Sequence, residues 1–226
     1  MYYEIIMYIL IFGAFCIALK FLSQFLNLKK SEIRGAVGEK RLQKQLEKIN
    51  LESKILTNVY LSKEKEPEQT TEIDTIMINQ KGIFVFECKN YSGWIFGTEK
   101  QMNWTQMFNK HQKVSFYNPV KQNNTHIKAI KNILNDKKIQ QYYNIVVFAS
   151  ENAELKKIEI TSENIHVIKI GYVPKLINEV CAAVPDVFTW NEVEQISSTI
   201  ITNQVTGKDV KKKHIENINK NVLHKR

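Results

Sequence analysis

Two short clusters hold the residues of this chain best suited to chemistry, Glu72-Ile73-Asp74 and Glu87-Cys88-Lys89. A tight turn at Gln80-Lys81-Gly82 joins a strand over 72–79 to a strand over 83–89. The start of the first strand then lies opposite the end of the second, roughly 4.8 Å away. Asp74 is placed to face Glu87, and period-two alternation sends Glu87 and Lys89 to one side together with Ile83 and Val85. Two carboxylates and an ammonium thus meet at one end of an otherwise apolar hairpin.

Like charges brought together out of water are costly unless a cation lies between them. Asp74, Glu87 and the backbone carbonyl of Cys88 form a hard-oxygen set suited to Mg²⁺ or Mn²⁺, with waters completing the shell. Lys89 beside such an ion can orient an attacking water, help lower its pKa, or neutralise developing phosphoryl charge. Spacing alone leaves a second arrangement open: a salt-bridged cluster in which Lys89 simply pairs both acids.

The elements that must hold these residues follow from hydrophobic period and punctuation. Gly35, Gly38, Leu42, Leu46 and Ile49 form one stripe of a helix over 32–50. ILTNVYL at 55–61 reads as a strand, SKEKEPEQTT at 62–71 as a loop, and 91–97 as a further strand set off by Gly93. Asn118-Pro119 is a helix cap with a first-turn proline, continued by Val120, Ile127, Ile130 and Leu134. YNIVVFA at 143–149 is a buried strand, 165–170 another, and 174–183 and 190–201 are helices. The order helix, three strands, helix, strand describes an α/β sandwich with an antiparallel hairpin and a parallel crossover.

Several of these pieces together resemble the nuclease-related domain called NERD, itself similar to the PD-(D/E)XK nuclease superfamily. They are Gly35 and Gly38-Glu39, Glu72-Ile73-Asp74, Gly82-Ile83-Phe84-Val85 leading into Glu87-Cys88-Lys89-Asn90, Gly93 with Trp94-Ile95, Trp104, and Asn118-Pro119 with Gln122. The match covers about residues 32–150. It implies a restriction-endonuclease-like α-β-β-β-α-β core with a mixed central sheet. Asp74 and Glu87 are implied as metal-binding acids and Lys89 as the catalytic lysine. Glu39 matches an acid of the first helix that can complete or tune the metal site, and Gln122 a glutamine of the second helix that points toward it. Ile73 stands where the superfamily has a proline, in a variable slot. The implied activity is Mg²⁺- or Mn²⁺-dependent hydrolysis of DNA, with RNA left open. The alternative is a nucleic-acid-binding or protein-interaction module with little or no catalysis.

Beside the resemblance, the residues leave choices open. His126 faces the groove or is a satisfied or exposed histidine, and Trp94 and Trp104 stack on bases or pack in the core. Glycine-rich phosphate loops are absent from the sequence.

With 226 residues the chain holds one globular domain plus appendages, and 43% hydrophobic residues with 4 prolines exclude wholesale disorder. The net charge of +9 suits a polyanionic partner, but residues 205–226 carry seven Lys or Arg against two acids, a net of +5. That basic tail is either a frayed terminus or a contact for phosphate or anionic lipid. Three widely separated cysteines argue against a disulfide framework.

Residues 5–19 run fifteen positions without a charge, and the span 5–28, interrupted by Lys20, covers about 36 Å as a helix. This reads as a transmembrane anchor over 3–28, since a bilayer core is roughly 30 Å thick. Lys20, Lys29, Lys30 and Arg34 flank it on the C-terminal side, which places the remainder on the cytoplasmic face of a membrane. The resulting division is an anchor at 3–28, a core at 32–150, a completing strand and helices at 151–204, and the tail.

Overall fold

The computed structural model describes residues 2–63, 69–135 and 141–206, apart from the side chains at 4–6, 8–10, 27, 28 and 31. The tail expected over 205–226 therefore lies outside the described residues from 207 onward. The chain divides into two units, residues 1–37 and 38–226.

The first unit is helical. Helix α1 runs Tyr2–Leu46, so the helix expected to begin near residue 32 is the continuation of one starting at the N-terminus. No proline or capping glycine separates Leu28 from Glu32, and Lys29 and Lys30 are compatible with helix. Ile11, Phe12, Phe15, Ile17, Phe21, Leu22 and Phe25 are all exposed, and Lys29 Nζ lies 5.1 Å from the Phe25 ring centroid. Among the described residues no helix is long and apolar enough to cross a membrane. The crossing expected over 3–28 includes positions whose side chains fall outside that description.

The second unit is mixed α/β. Its first sheet has the order β1(Lys54–Ser62), β2(Thr70–Asn79), β3(Gly82–Lys89), β7(Tyr142–Phe148), β9(Ile165–Lys169). β1–β2 and β2–β3 are antiparallel, while β3–β7 and β7–β9 are parallel. Helix α2 (Pro119–Leu134) makes the crossover to β7, so the elements around this sheet keep the expected α-β-β-β-α-β order, while the further strands of residues 93–117 intervene between β3 and α2.

Alternation along β2 and β3 splits the sheet into two apolar faces. Ile76, Ile78, Ile83 and Val85 pack with Ile127 and Ile130 of α2 and with Val193, Ile196 and Ile200 of α4 (Trp190–Thr202). Met77, Phe84 and Phe86 pack on the other face with Leu42 and Leu46 of α1 and with Val173 and Ile177 of α3 (Val173–Ala183). Fully burying side chains of this size is worth ~1.5–3 kcal/mol each.

A second sheet has the order β6(Lys113–Tyr117), β5(Asn103–Met107), β4(Gly93–Thr98), β8(Ala153–Glu159). The strand expected over 91–97 is thus not a third member of the hairpin sheet; it opens a new one. Gly93, at φ +81°, turns the chain out of β3's sheet, and a Cβ there would stand 2.4 Å from the Met107 carbonyl oxygen. The two sheets meet over Trp104, Val120, Val146 and Phe148. Asn118, fully buried, locks this junction. Its Nδ2 donates to the carbonyls of Thr98, Glu99 and Gln101, while Oδ1 caps α2 by accepting from Val120 N.

Candidate active site

Strands β2 and β3 pair from Asn79↔Gly82 to Thr75↔Phe86, and there the ladder stops. One residue further, the Asp74 side chain takes over: its Oδ2 accepts the Cys88 N–H at 2.7 Å. The N–H and C=O of one strand residue point the same way, so the Cys88 carbonyl is directed to this edge as well.

A matching break lies in β1. Thr57↔Thr75 and Val59↔Ile73 pair, but Asn58 between them sits at φ +53° and has no ladder partner opposite Asp74. Asparagine is among the few residues that adopt the left-handed region readily. Side-chain phase changes across the break, since Val59 and Ile73 share a core cluster with Ile76 and Ile78. The β1–β2 ladder is interrupted at the position that holds Asp74.

Glu87 and Lys89 point toward α2, the side that alternation assigned them. Glu87 is 1% exposed and both its oxygens are engaged. Oε1 lies 2.7 Å from Lys89 Nζ and Oε2 lies 3.0 Å from His126 Nε2. Lys89 Nζ also donates to Gln122 Oε1 at 3.0 Å. On the far side of the imidazole, His126 Nδ1 stands 2.7 Å from Thr71 Oγ1. A carboxylate only accepts, so Nε2 carries the hydrogen toward Glu87, and in a neutral ring Nδ1 accepts from the threonine hydroxyl. The result is a buried polar chain from Gln122 through Lys89, Glu87 and His126 to Thr71.

The helices are held close by specific contacts. A Cβ on Gly38 of α1 would meet Asn90 Cβ at 3.1 Å, Cys88 Sγ at 3.2 Å and Ala149 Cβ at 3.3 Å, so the helix backbone reaches the end of β3 only without a side chain there. Arg41 Nη1 donates to the Ala149 carbonyl at 3.1 Å, and Ala149 N donates to the Lys89 carbonyl at 2.9 Å. On the α2 side Asn123 Nδ2 donates to the Val85 carbonyl and to Asn144 Oδ1, and Asn144 Nδ2 returns to the Val120 carbonyl. These amides fix α2 in register with β3 and β7, and so fix Gln122 and His126 over Glu87 and Lys89.

The charges are unequally satisfied. Burial raises the Asp74 carboxyl well above the usual carboxylate range and the Glu87 charge adds to it, against the Cys88 N–H and Lys89. Burial pushes Glu87 upward too, but Lys89 and His126 outweigh it and hold Glu87 below its ordinary value. Burial lowers Lys89, while Glu87 more than reverses this, so the ammonium is held above its normal range. Burial raises the Cys88 thiol and the Tyr60 hydroxyl, and the charge of Glu39 adds to both, as it does to Asp74.

Asp74 is therefore the acid of this cluster with the least cationic compensation. Only its Oδ2 has a hydrogen-bond donor among the described residues. With Glu87, which keeps lone pairs beyond those used by Lys89 and His126, and the Cys88 carbonyl, it forms an oxygen donor set whose chemistry fits Mg²⁺ or Mn²⁺. Among the described residues no three His, Cys, Asp or Glu side chains are grouped to hold a metal ion.

The structure thus brings Asp74, Glu87, Lys89 and Gln122 together, with Glu39 as an electrostatic neighbour. Trp104 is buried in the core, stacked at 6.5 Å on Phe148, and Trp94 is half-buried. His126 resolves as a satisfied histidine whose partner is Glu87 itself. Its place was signalled by the four-residue spacing from Gln122, which puts both on one helix face. Thr71 and the Asn123–Asn144 pair carried no such sign, although Asn144 is the one polar residue inside YNIVVFA.

A family model described as nuclease-related domain (NERD) matches residues 34–149. An uncharacterized protein of Bacillus anthracis is 37% identical over 188 residues, which is 81% of this chain and 82% of its own length. No solved structure matches the chain.

Proposed function

Because this chain belongs to the nuclease-related domain (NERD) family, we propose that it hydrolyses phosphodiester bonds of DNA with Mg²⁺ held by Asp74, Glu87 and the Cys88 carbonyl. The observation that carries this reading is geometric: Asp74 accepts the Cys88 N–H at 2.7 Å, and the neighbouring Glu87 holds Lys89 at 2.7 Å. A divalent ion bound there supplies Lewis acidity, lowering the pKa of a water and offsetting phosphate charge.

The protein's own groups do the rest. Glu87 and Gln122 occupy two of the three N–H bonds of Lys89 and aim the third. With its pKa held high, Lys89 remains an ammonium through the neutral range. It serves as an electrostatic donor to a non-bridging phosphate oxygen or to the attacking water, and not as the base. His126 and Thr71 keep Glu87 in one orientation, which removes reorganisation from the reaction.

We further propose that residues 3–28 anchor this domain on the cytoplasmic face of a membrane. The uncharged run over 5–19, the bare apolar side chains of α1 and the basic flank at Lys20, Lys29, Lys30 and Arg34 support it. Cys16 tests the anchor: in intact membranes an impermeant maleimide should leave it unlabelled until detergent is added, and prompt labelling without detergent refutes it.

Catalysis is tested by incubating the full-length chain with labelled single- and double-stranded DNA in Mg²⁺, Mn²⁺ or EDTA, beside Asp74→Ala and Lys89→Ala. Metal-dependent cutting lost in both variants supports the nuclease. A second reading, an anchored nucleic-acid-binding module without catalysis, is favoured by the engagement of both Glu87 oxygens by Lys89 and His126. Binding without cutting under every metal would establish it.

A further inference from the structure

The second sheet carries a surface that the site does not use. Alternation puts Ile95, Trp104, Gln106 and Phe116 on its inner face, three of them against the core. The other face presents Trp94 and Phe96 on β4, Thr105 and Met107 on β5, and Lys113, Ser115 and Tyr117 on β6. Each of these seven is at least partly exposed, and Tyr117 is 46% exposed. The face is aromatic at its centre, hydroxylated between, and basic at the β6 edge.

Charge runs the same way. From Lys100 to Asn135, across β5, β6 and α2, the sequence has six lysines and no acid. Lys100, Lys110, Lys113, Lys128 and Lys131 are exposed. At the opposite edge the acids of β8 are each paired, Glu154 with Lys156 at 2.6 Å and Glu159 with Lys157 at 3.4 Å. Lys156 Nζ also lies 5.8 Å from the Trp94 ring centroid. The tip of the β5–β6 hairpin is ordered locally, with Asn109 Oδ1 accepting from His111 N and Gln112 N at 2.9 Å each.

We infer that this outer face, from Lys110, Lys113 and Tyr117 at its β6 edge to Phe96 and Trp94 at its centre, binds a single-stranded polynucleotide. Lysines along an edge follow a phosphate backbone, and exposed aromatic rings stack on unpaired bases without regard to sequence. A duplex hides those base faces. β4, which carries Trp94 and Phe96, begins four residues after Lys89. The inference rests on the nucleic-acid reading above and adds which form of nucleic acid is held, and where.

The test uses the full-length chain in mild detergent with EDTA, fluorescein-labelled (dT)20, (rU)20 and a blunt duplex, and anisotropy at several salt concentrations. Tighter binding of the single strands than of the duplex is expected, with quenching of tryptophan emission. Lys110→Gln with Lys113→Gln should weaken binding about tenfold and flatten the log–log salt slope by about 1.4. Tyr117→Ala should weaken it about fivefold or more. All three positions are exposed, and Mn²⁺ binding followed by electron paramagnetic resonance should be unchanged in these variants.

Parent-like affinity and salt slope in the variants overturn the surface, and DNA cutting by the parent would leave the nuclease reading standing. Loss of affinity in the variants beside an inactive parent supports the surface without that reading. No oligonucleotide binding by the parent overturns the surface, and cutting in Mg²⁺ or Mn²⁺ decides the nuclease reading separately. A dimer dissolved by Tyr117→Ala with oligonucleotide binding intact reassigns the face to a second copy of the chain.

Discussion

His126 Nε2 and Glu87 Oε2, 39 residues apart in sequence, stand 3.0 Å apart in the interior, and Lys89 closes on the other carboxylate oxygen at 2.7 Å. Glu87 is thereby gripped from a helix and from its own strand. One grip sets its orientation and the other its charge balance.

Removing the helical grip leaves a buried carboxylate oxygen without its donor. His126→Ala should cost about 1.5–3 kcal/mol in urea unfolding, the range for losing a hydrogen bond to a charged group. His126→Gln can return an N–H toward Glu87 and should recover part of that loss. Equal destabilisation by both variants would show that the cost is packing alone.

Asp74 and Glu87 make opposite contributions to pH dependence in EDTA. The folded pKa of Asp74 is raised, so its contribution is present at low pH and is lost as pH rises through that folded value. Glu87, lowered, contributes above its unfolded pKa and loses that contribution as pH falls. Asp74→Asn should therefore raise the apo unfolding midpoint at neutral pH and remove any stabilisation by Mg²⁺. Thermal melts with and without Mg²⁺ check both, and a fall in the apo midpoint at pH 7 would contradict the assignment.

Gly38→Ala sets helix propensity against packing. Alanine gains about 1 kcal/mol over glycine in a helix interior, but here its methyl meets three atoms at 3.1–3.3 Å. Two of them belong to Cys88 and Asn90, at the end of β3, where small shifts displace the Cys88 backbone. Overpacking of this kind costs roughly 1–3 kcal/mol. The variant should be no more stable than the parent and should bind Mn²⁺ more weakly. A clear gain in melting temperature would show that α1 yields easily.

Far from the site, Glu99 accepts from Ser162 Oγ, Thr161 N, Ser162 N and Thr161 Oγ1, and these bonds pull its carboxyl down to about 2. Its contribution is complete above the unfolded value of about 4.3 and is lost as pH falls toward 2. Carboxyl NMR should place the Glu99 midpoint near 2. The stability difference between parent and Glu99→Gln should shrink between pH 5 and pH 2, and a pH-independent difference would exclude a charged acceptor.

The hairpin that carries Asp74, Glu87 and Lys89 was legible because its strands are long, β-branched and joined by a short glycine-ended turn. The second sheet was not. KVSFY and AELKKIE are short and polar, β8 contains a register shift between its pairings with Ile95 and Phe96, and neither strand announces which sheet it joins. The ladder break at Asn58, opposite Asp74, was hidden too, because left-handed backbone at an asparagine leaves no mark on hydrophobic period. The polar chain to Thr71 depends on α2 docking at one rotation, and that rotation is set by buried amides, not by the apolar stripe.

The parallel pairing of β3 with β7 has a bearing on how the chain acquires its chemistry during synthesis. β2 and β3 are neighbours in sequence and can pair as soon as they exist, bringing Asp74 beside Glu87 early. Ile83 must wait for Tyr142, across the whole of β4, β5, β6 and α2, before β3 gains its second neighbour. Contacts of such sequence separation form late. His126 and Gln122 are seated only when that closure is made, so the nascent hairpin holds its two acids before the groups that discipline them arrive. An incompletely synthesised chain accordingly lacks the contacts of His126 with Glu87 and of Gln122 with Lys89, which form with the final condensation of the sheet.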